Sequence, residues 1–200
     1  MSFMKDHADR QGSNSNDEVQ SKKQSNSETP PDNPDRIATA YHESGHAVAA
    51  ISLGRQIKKA TINQANLQTG GVRLGAVMFE KGRSKPTDDW LEDEVIILLA
   101  GMVAESSFTG RYCEQGASVD LRAVDRLLDS RVRTERQLDK LRQRLINKTE
   151  HLLSDPAHAV AVEAVANELL AKSEVSGRLV RHHLNQAIAQ QNKCVRKTEH

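Results

Sequence analysis

Ala40-Tyr41-His42-Glu43-Ser44-Gly45-His46-Ala47 is the stretch from which the rest of the chain is best read. It lies within a segment, Arg36 to Leu53, whose apolar side includes Ile37, Ala40, Tyr41, Val48 and Ile51, as in a helix. Asp35, after Pro34, is the expected N-cap and Gly54 the expected stop. Residues four apart on a helix share a face, so His42 and His46 can turn both imidazoles to one metal ion. Glu43 can lean over the ion's open position and take a proton from water whose pKa the metal has lowered. Zinc suits such a pair, taking imidazole nitrogens at about 2.0–2.1 Å in tetrahedral geometry. The alternative, two histidines facing solvent, fits poorly with apolar flanks, because a buried His, Glu and His need partners.

Working outward, the sequence predicts a mainly α fold with a small β element after this helix. Ala60 and Ile62, then Val72, Leu74, Val77 and Phe79, form two extended runs joined by Asn66 to Gly71. A polar loop at 81–87 leads to a second helix, with Thr87 as N-cap and Asp88 and Asp89 in its first turn. That helix holds the longest apolar run, Val95 to Ala104, whose 10 residues suit a buried core helix and fall short of the roughly 18 of a membrane span. Trp90 and Phe108 are expected in the core. After a break at Thr109 to Gly116, Ser118 should cap a third helix, with more helices over about 134–153 and 156–172 and from near Ser176 to near Gln190.

Composition sets the domain limits. Met1 to Asp35 contains no Leu or Ile and is rich in Ser, Asn, Asp and Lys, so residues 1–33 are expected to be a disordered tail. The domain is expected over 34–190, with a second polar tail at 191–200. Lys and Arg number 28 against 27 Asp and Glu, a balance that argues against nucleic acid or a membrane surface as the partner. The only cysteines, Cys113 and Cys194, offer neither a disulfide framework nor a CxxC site, and a reducing, cytoplasmic setting is the default.

Two histidines do not complete a catalytic zinc site, which normally has three protein ligands plus water. The longer pattern HExxHxxGxxH fails, with Ala49 in place of Gly and Ser52 in place of the third His. The remaining candidates are Glu105, at the end of the apolar helix, and Asp120, in the first turn of the next. His151, His158, His182 and His183 belong to amphipathic segments and read as surface residues.

The run Ala40 to Ala47 resembles the zinc helix of the FtsH family of ATP-dependent metalloproteases. Leu98-Leu99-Ala100-Gly101-Met102-Val103-Ala104-Glu105 resembles that family's Leu-Gly-Gly-Arg-Ala-Ala-Glu segment. Gly116-Ala117-Ser118-Val119-Asp120-Leu121 resembles its Gly-Ala-x-Asn-Asp-Leu segment, and the likeness runs on through Leu169-Leu170 and Val175-Ser176-Gly177 to about residue 190. The resemblance implies a helical peptidase domain of FtsH type, with Asp120 as third ligand beside His42 and His46, Zn²⁺ as the cofactor and Glu43 as the catalytic base. It further implies an endopeptidase acting on unfolded or extended protein segments, and a hexamer. Met102 and Val119 depart from the family pattern without touching these four residues.

No GxxxxGK[ST] sequence occurs, so no ATPase module is expected here, and a separate ATPase partner would have to supply unfolding. The competing reading is a zinc-bearing, non-proteolytic module that regulates such an ATPase. Glu105 reads as an acceptor for a ligand histidine or as an ordinary helix-end acid. Gly45 reads as a close-packing position, Gly70, Gly71 and Gly75 as turn and bulge positions, and Cys113 as a bystander. With the resemblance, strand 72–79 reads as a sheet edge that receives an extended peptide.

Overall fold

Helix α1, Pro34–Ser52, starts at Asn33, whose side chain accepts a hydrogen bond from the Asp35 backbone N–H at 3.0 Å. The cap is therefore two residues earlier than expected, because Asn33 places Pro34 at the first helical position, where its missing N–H costs nothing. The computed structural model describes residues 33–66, 72–73, 75–111 and 116–198. The tail up to residue 32, the Gly70-Gly71 turn and Cys113 lie outside the described residues.

The helix ends before Gly54, whose φ of +81° turns the chain back into strand β1, Arg55–Thr61. The expected single run from 72 to 79 divides into β3, Val72–Arg73, which pairs with β2, Ala65–Asn66, and a separate strand β4, Ala76–Arg83. β4 pairs antiparallel with β1. The other neighbour of β1 is β5, Glu174–Ser176, a strand not expected, in the short gap between the helices expected over 156–172 and from near Ser176. Ser173, at φ +60°, ends the preceding helix, and three residues are too few to display a period of two. The sheet order β4–β1–β5 leaves β4 at an edge among the described residues.

Helix α2, Trp90–Thr109, is capped by Asp89 rather than Thr87: its carboxylate accepts from the N–H groups of Leu91 and Glu92, both at 3.1 Å. The helix is apolar nearly all round and lies between two cores. Ile97, Ala100, Val103 and Ala104 pack toward α1 and the sheet. Leu91, Val95, Leu99 and Met102 pack with α3, Ser118–Leu128, and α4, Glu135–Ser154. Ser118 is the first residue of α3 and not its cap: Ala117 holds that position and makes no side-chain cap bond. Helix α5, Pro156–Lys172, and α6, Gly177–Thr198, complete the core around α1. With neither Gly nor Pro after Gly177 to stop it, α6 runs past Gln190 to Thr198.

Trp90 is 58% exposed and Phe108 49%, so neither is a core residue; periodicity along α2 counts apolar positions without showing which face a neighbour covers. No helix among the described residues is long and apolar enough to cross a membrane.

Candidate metal centre

α1 and α2 cross closely because Gly45 faces Ala100. A Cβ on Gly45 would strike the Ala100 carbonyl oxygen and stand 2.6 Å from the Ala104 methyl. This approach brings the buried His42, Glu43 and His46 against the middle of α2. Gly101 then leaves the space that both imidazoles occupy: a Cβ there would meet His46 Nε2 and lie 2.7 Å from His42 Nε2.

Each imidazole is anchored through its Nδ1. His46 Nδ1 lies 2.7 Å from the Ile97 carbonyl oxygen, and His42 Nδ1 lies 3.0 Å from Glu105 Oε2. A carbonyl or carboxylate oxygen only accepts, so both Nδ1 atoms donate. That assigns the remaining ring nitrogen, Nε2, to the shared side of each ring. Glu105, itself buried, thus sits behind His42 as the acceptor that holds its ring.

Asp120, in the first turn of α3, closes the cluster. Its Oδ2 lies 3.1 Å from His42 Nε2 and 3.3 Å from His46 Nε2. One ligand atom from each of the three residues falls within 4.8 Å of the others. The donor set fits zinc: a tetrahedral ion with bonds of about 2.0–2.1 Å has ligand-to-ligand edges of about 3.4 Å, close to those measured. Burial pulls the His42 imidazole down, but hydrogen bonds with Asp120 and Glu105 and the charges of Glu43 and Asp120 outweigh it and raise its pKa to about 9. Burial pushes the Asp120 carboxyl up, and the hydrogen bonds from His42 and His46 overcome this and hold it well below the usual carboxylate range. The cluster is thus a concentration of negative potential that favours a cation.

Glu43, on the same helical turn, also reaches Gly75 in the loop before β4. A Cβ on Gly75 would overlap Glu43 Oε1 and stand 2.6 Å from its Cγ, so Gly75 is a packing position for Glu43 rather than a plain turn glycine. Sequence reasoning missed the parts played by Gly75 and Gly101, since each exists only through a side chain on another element. Tyr41 and Phe108 stack beyond the cluster with ring centroids 4.2 Å apart.

The sequence profile of peptidase family M41 matches residues 31–135, which span α1, the strands β1 to β4, α2 and α3. The ATP-dependent zinc metalloprotease FtsH of Protochlamydia amoebophila is 35% identical over 114 residues, 55% of this chain and 12% of the relative. That of Ruminiclostridium cellulolyticum is 32% identical over 109 residues, 54% of this chain and 17% of the relative. The matched stretch is therefore a small part of the relatives' length. The stretch matched by the profile contains the close crossing of α1 and α2, the His-Glu-His turn and the aspartate of α3, and with that profile matching over half of its length the chain belongs to peptidase family M41.

Proposed function

We propose that this chain is a zinc-dependent endopeptidase that hydrolyses peptide bonds in unfolded or extended protein segments. The observation that carries the reading is the convergence of His42, His46 and Asp120 on one point, with Glu43 on the same helical turn. In this reading the three residues hold Zn²⁺, which when bound polarises the scissile carbonyl and lowers the pKa of a water molecule. Glu43 takes the proton of the attacking water and delivers it to the leaving amine. Glu105 and the Ile97 carbonyl keep the two rings in the tautomer that leaves Nε2 for the metal. The edge of β4 begins one residue after Gly75, beside Glu43, where an extended peptide can add as a further strand and present its backbone to the base. Zinc as cofactor, a homo-hexameric assembly, a cytoplasmic setting and a separate ATPase that feeds unfolded chains belong to the same proposal. Zinc and the ATPase rest on the family and the names of the relatives, the hexamer on the resemblance to the FtsH family, and the cytoplasmic setting on the two widely spaced cysteines.

The purified full chain, loaded with zinc, should cut casein at internal bonds identified by mass spectrometry. Cutting should stop with 1,10-phenanthroline and return with added zinc. A zinc-loaded chain that binds casein and leaves it whole would instead favour the non-proteolytic module.

A further inference from the structure

An open cleft of about 440 Å³ lies between the sheet and the first half of α2. Phe79 of β4, Trp90, Ile97 and Leu98 of α2 and Leu127 of α3 supply its apolar lining. Three elements lead into it from the candidate metal centre. On α2, Trp90, Glu94, Ile97, Gly101 and Glu105 follow one another at spacings of three and four and form a single stripe. Gly101 underlies the two imidazoles, Ile97 holds His46 through its carbonyl while lining the cleft, and Trp90 is the far wall, about 16 Å along the helix from Gly101. On β4, Phe79 stands four residues beyond Gly75, about 13 Å at the rise of a strand. On α3, Asp120 belongs to the cluster and Leu127 to the cleft. The cleft therefore continues the groove in which β4 would pair with a peptide.

Its cationic groups are already neutralised. Arg55 Nε lies 2.8 Å from Glu94 Oε1, and the Arg55 guanidinium lies over the Phe79 ring, 5.1 Å from its centroid. Arg83 pairs with Asp93 and Glu94. The exposed apolar surface left over belongs chiefly to Trp90 and Phe79, which are 58% and 41% exposed. A charged guest would find no partner there, whereas a large apolar side chain would cover both rings.

We infer that this cleft is a substrate subsite that selects a large apolar or aromatic side chain three to four residues from the cleaved bond. The inference rests on the peptidase reading, and it explains why an aromatic residue at the start of α2 stays uncovered.

Trp90 is the only tryptophan in the chain and so reports directly on the cleft. Tryptophan-free peptides, with Phe or Asp at each position around the cleaved bond, would be titrated onto zinc-loaded Glu43→Gln protein. The Phe peptide matched to the cleft should shift Trp90 emission to shorter wavelength and roughly halve its quenching by acrylamide; the Asp peptide should do neither. With wild-type enzyme, Phe over Asp at that one position should raise kcat/KM about tenfold or more. In Trp90→Ala that ratio should fall toward one, and in Trp90→Phe it should persist. A ratio unchanged in Trp90→Ala, or an emission shift that follows protein concentration and not peptide, would overturn the subsite. If wild-type protein cut no peptide while the Phe peptide still shifted the emission, the peptidase reading would fail and the cleft would stand as an apolar peptide site.

Discussion

Glu43→Gln should lose peptide cleavage by about 10²–10⁴-fold while keeping its zinc, because general base catalysis by a positioned side chain contributes about that much. Glutamine preserves the volume that packs against Gly75, a position where even one added carbon on the glycine would collide with Glu43. The substitution therefore leaves the fold and the cluster of His42, His46 and Asp120 intact and removes one capacity, the acceptance of a proton. Cleavage rate and zinc content, measured on the same preparation, separate the two effects. A variant that cut peptides at near the wild-type rate would mean that another group takes the proton, and Glu43 would not be the base.

Asp120→Ala should lose zinc and cleavage together. Its carboxylate is the only acid in the three-atom cluster, and it bridges the two Nε2 atoms at 3.1 and 3.3 Å. Removing it leaves two imidazoles, a set that binds zinc far more weakly than three protein ligands. Glu105 cannot step in without giving up His42, since it occupies the Nδ1 side of that ring, the side opposite to the cluster. Purified without chelator, the variant should carry a small fraction of the roughly one zinc per chain expected for wild type. Stoichiometric zinc in Asp120→Ala would refute the ligand assignment.

Much of the fold and the site is legible in the sequence, for identifiable reasons. The spacing of His42 and His46 predicts a shared face from helix geometry alone, and the apolar run at 95–104 predicts a buried helix from length alone. Spacing does not choose Asp120 over Glu105. Both are acids at helix ends, and only the likeness to FtsH segments separates them in the sequence. The structure separates them physically, with one carboxylate on the Nε2 side of His42 and the other on its Nδ1 side. The parts played by Gly75 and Gly101 are illegible because an absent side chain has no pattern; what matters is the imidazole or carboxylate that fills the space. Trp90 misleads for a related reason. It satisfies the apolar pattern of α2, yet it belongs to neither of the two cores that α2 joins and is left exposed. The start of α2 is ambiguous for another reason: Thr87, Asp88 and Asp89 are all cap-forming residue types, and only the structure shows that Asp89 accepts from Leu91 and Glu92.

The most direct test of the central claim, that α1 and α3 together build one zinc site from two imidazoles and a carboxylate, is X-ray absorption at the zinc edge of the loaded full chain. The first shell should be nitrogen and oxygen alone at about 2.0–2.2 Å, with the outer-shell scattering of two imidazoles. A sulfur contribution at about 2.3 Å, which would bring Cys113 or Cys194 into the shell, or the scattering of a single imidazole, would contradict it.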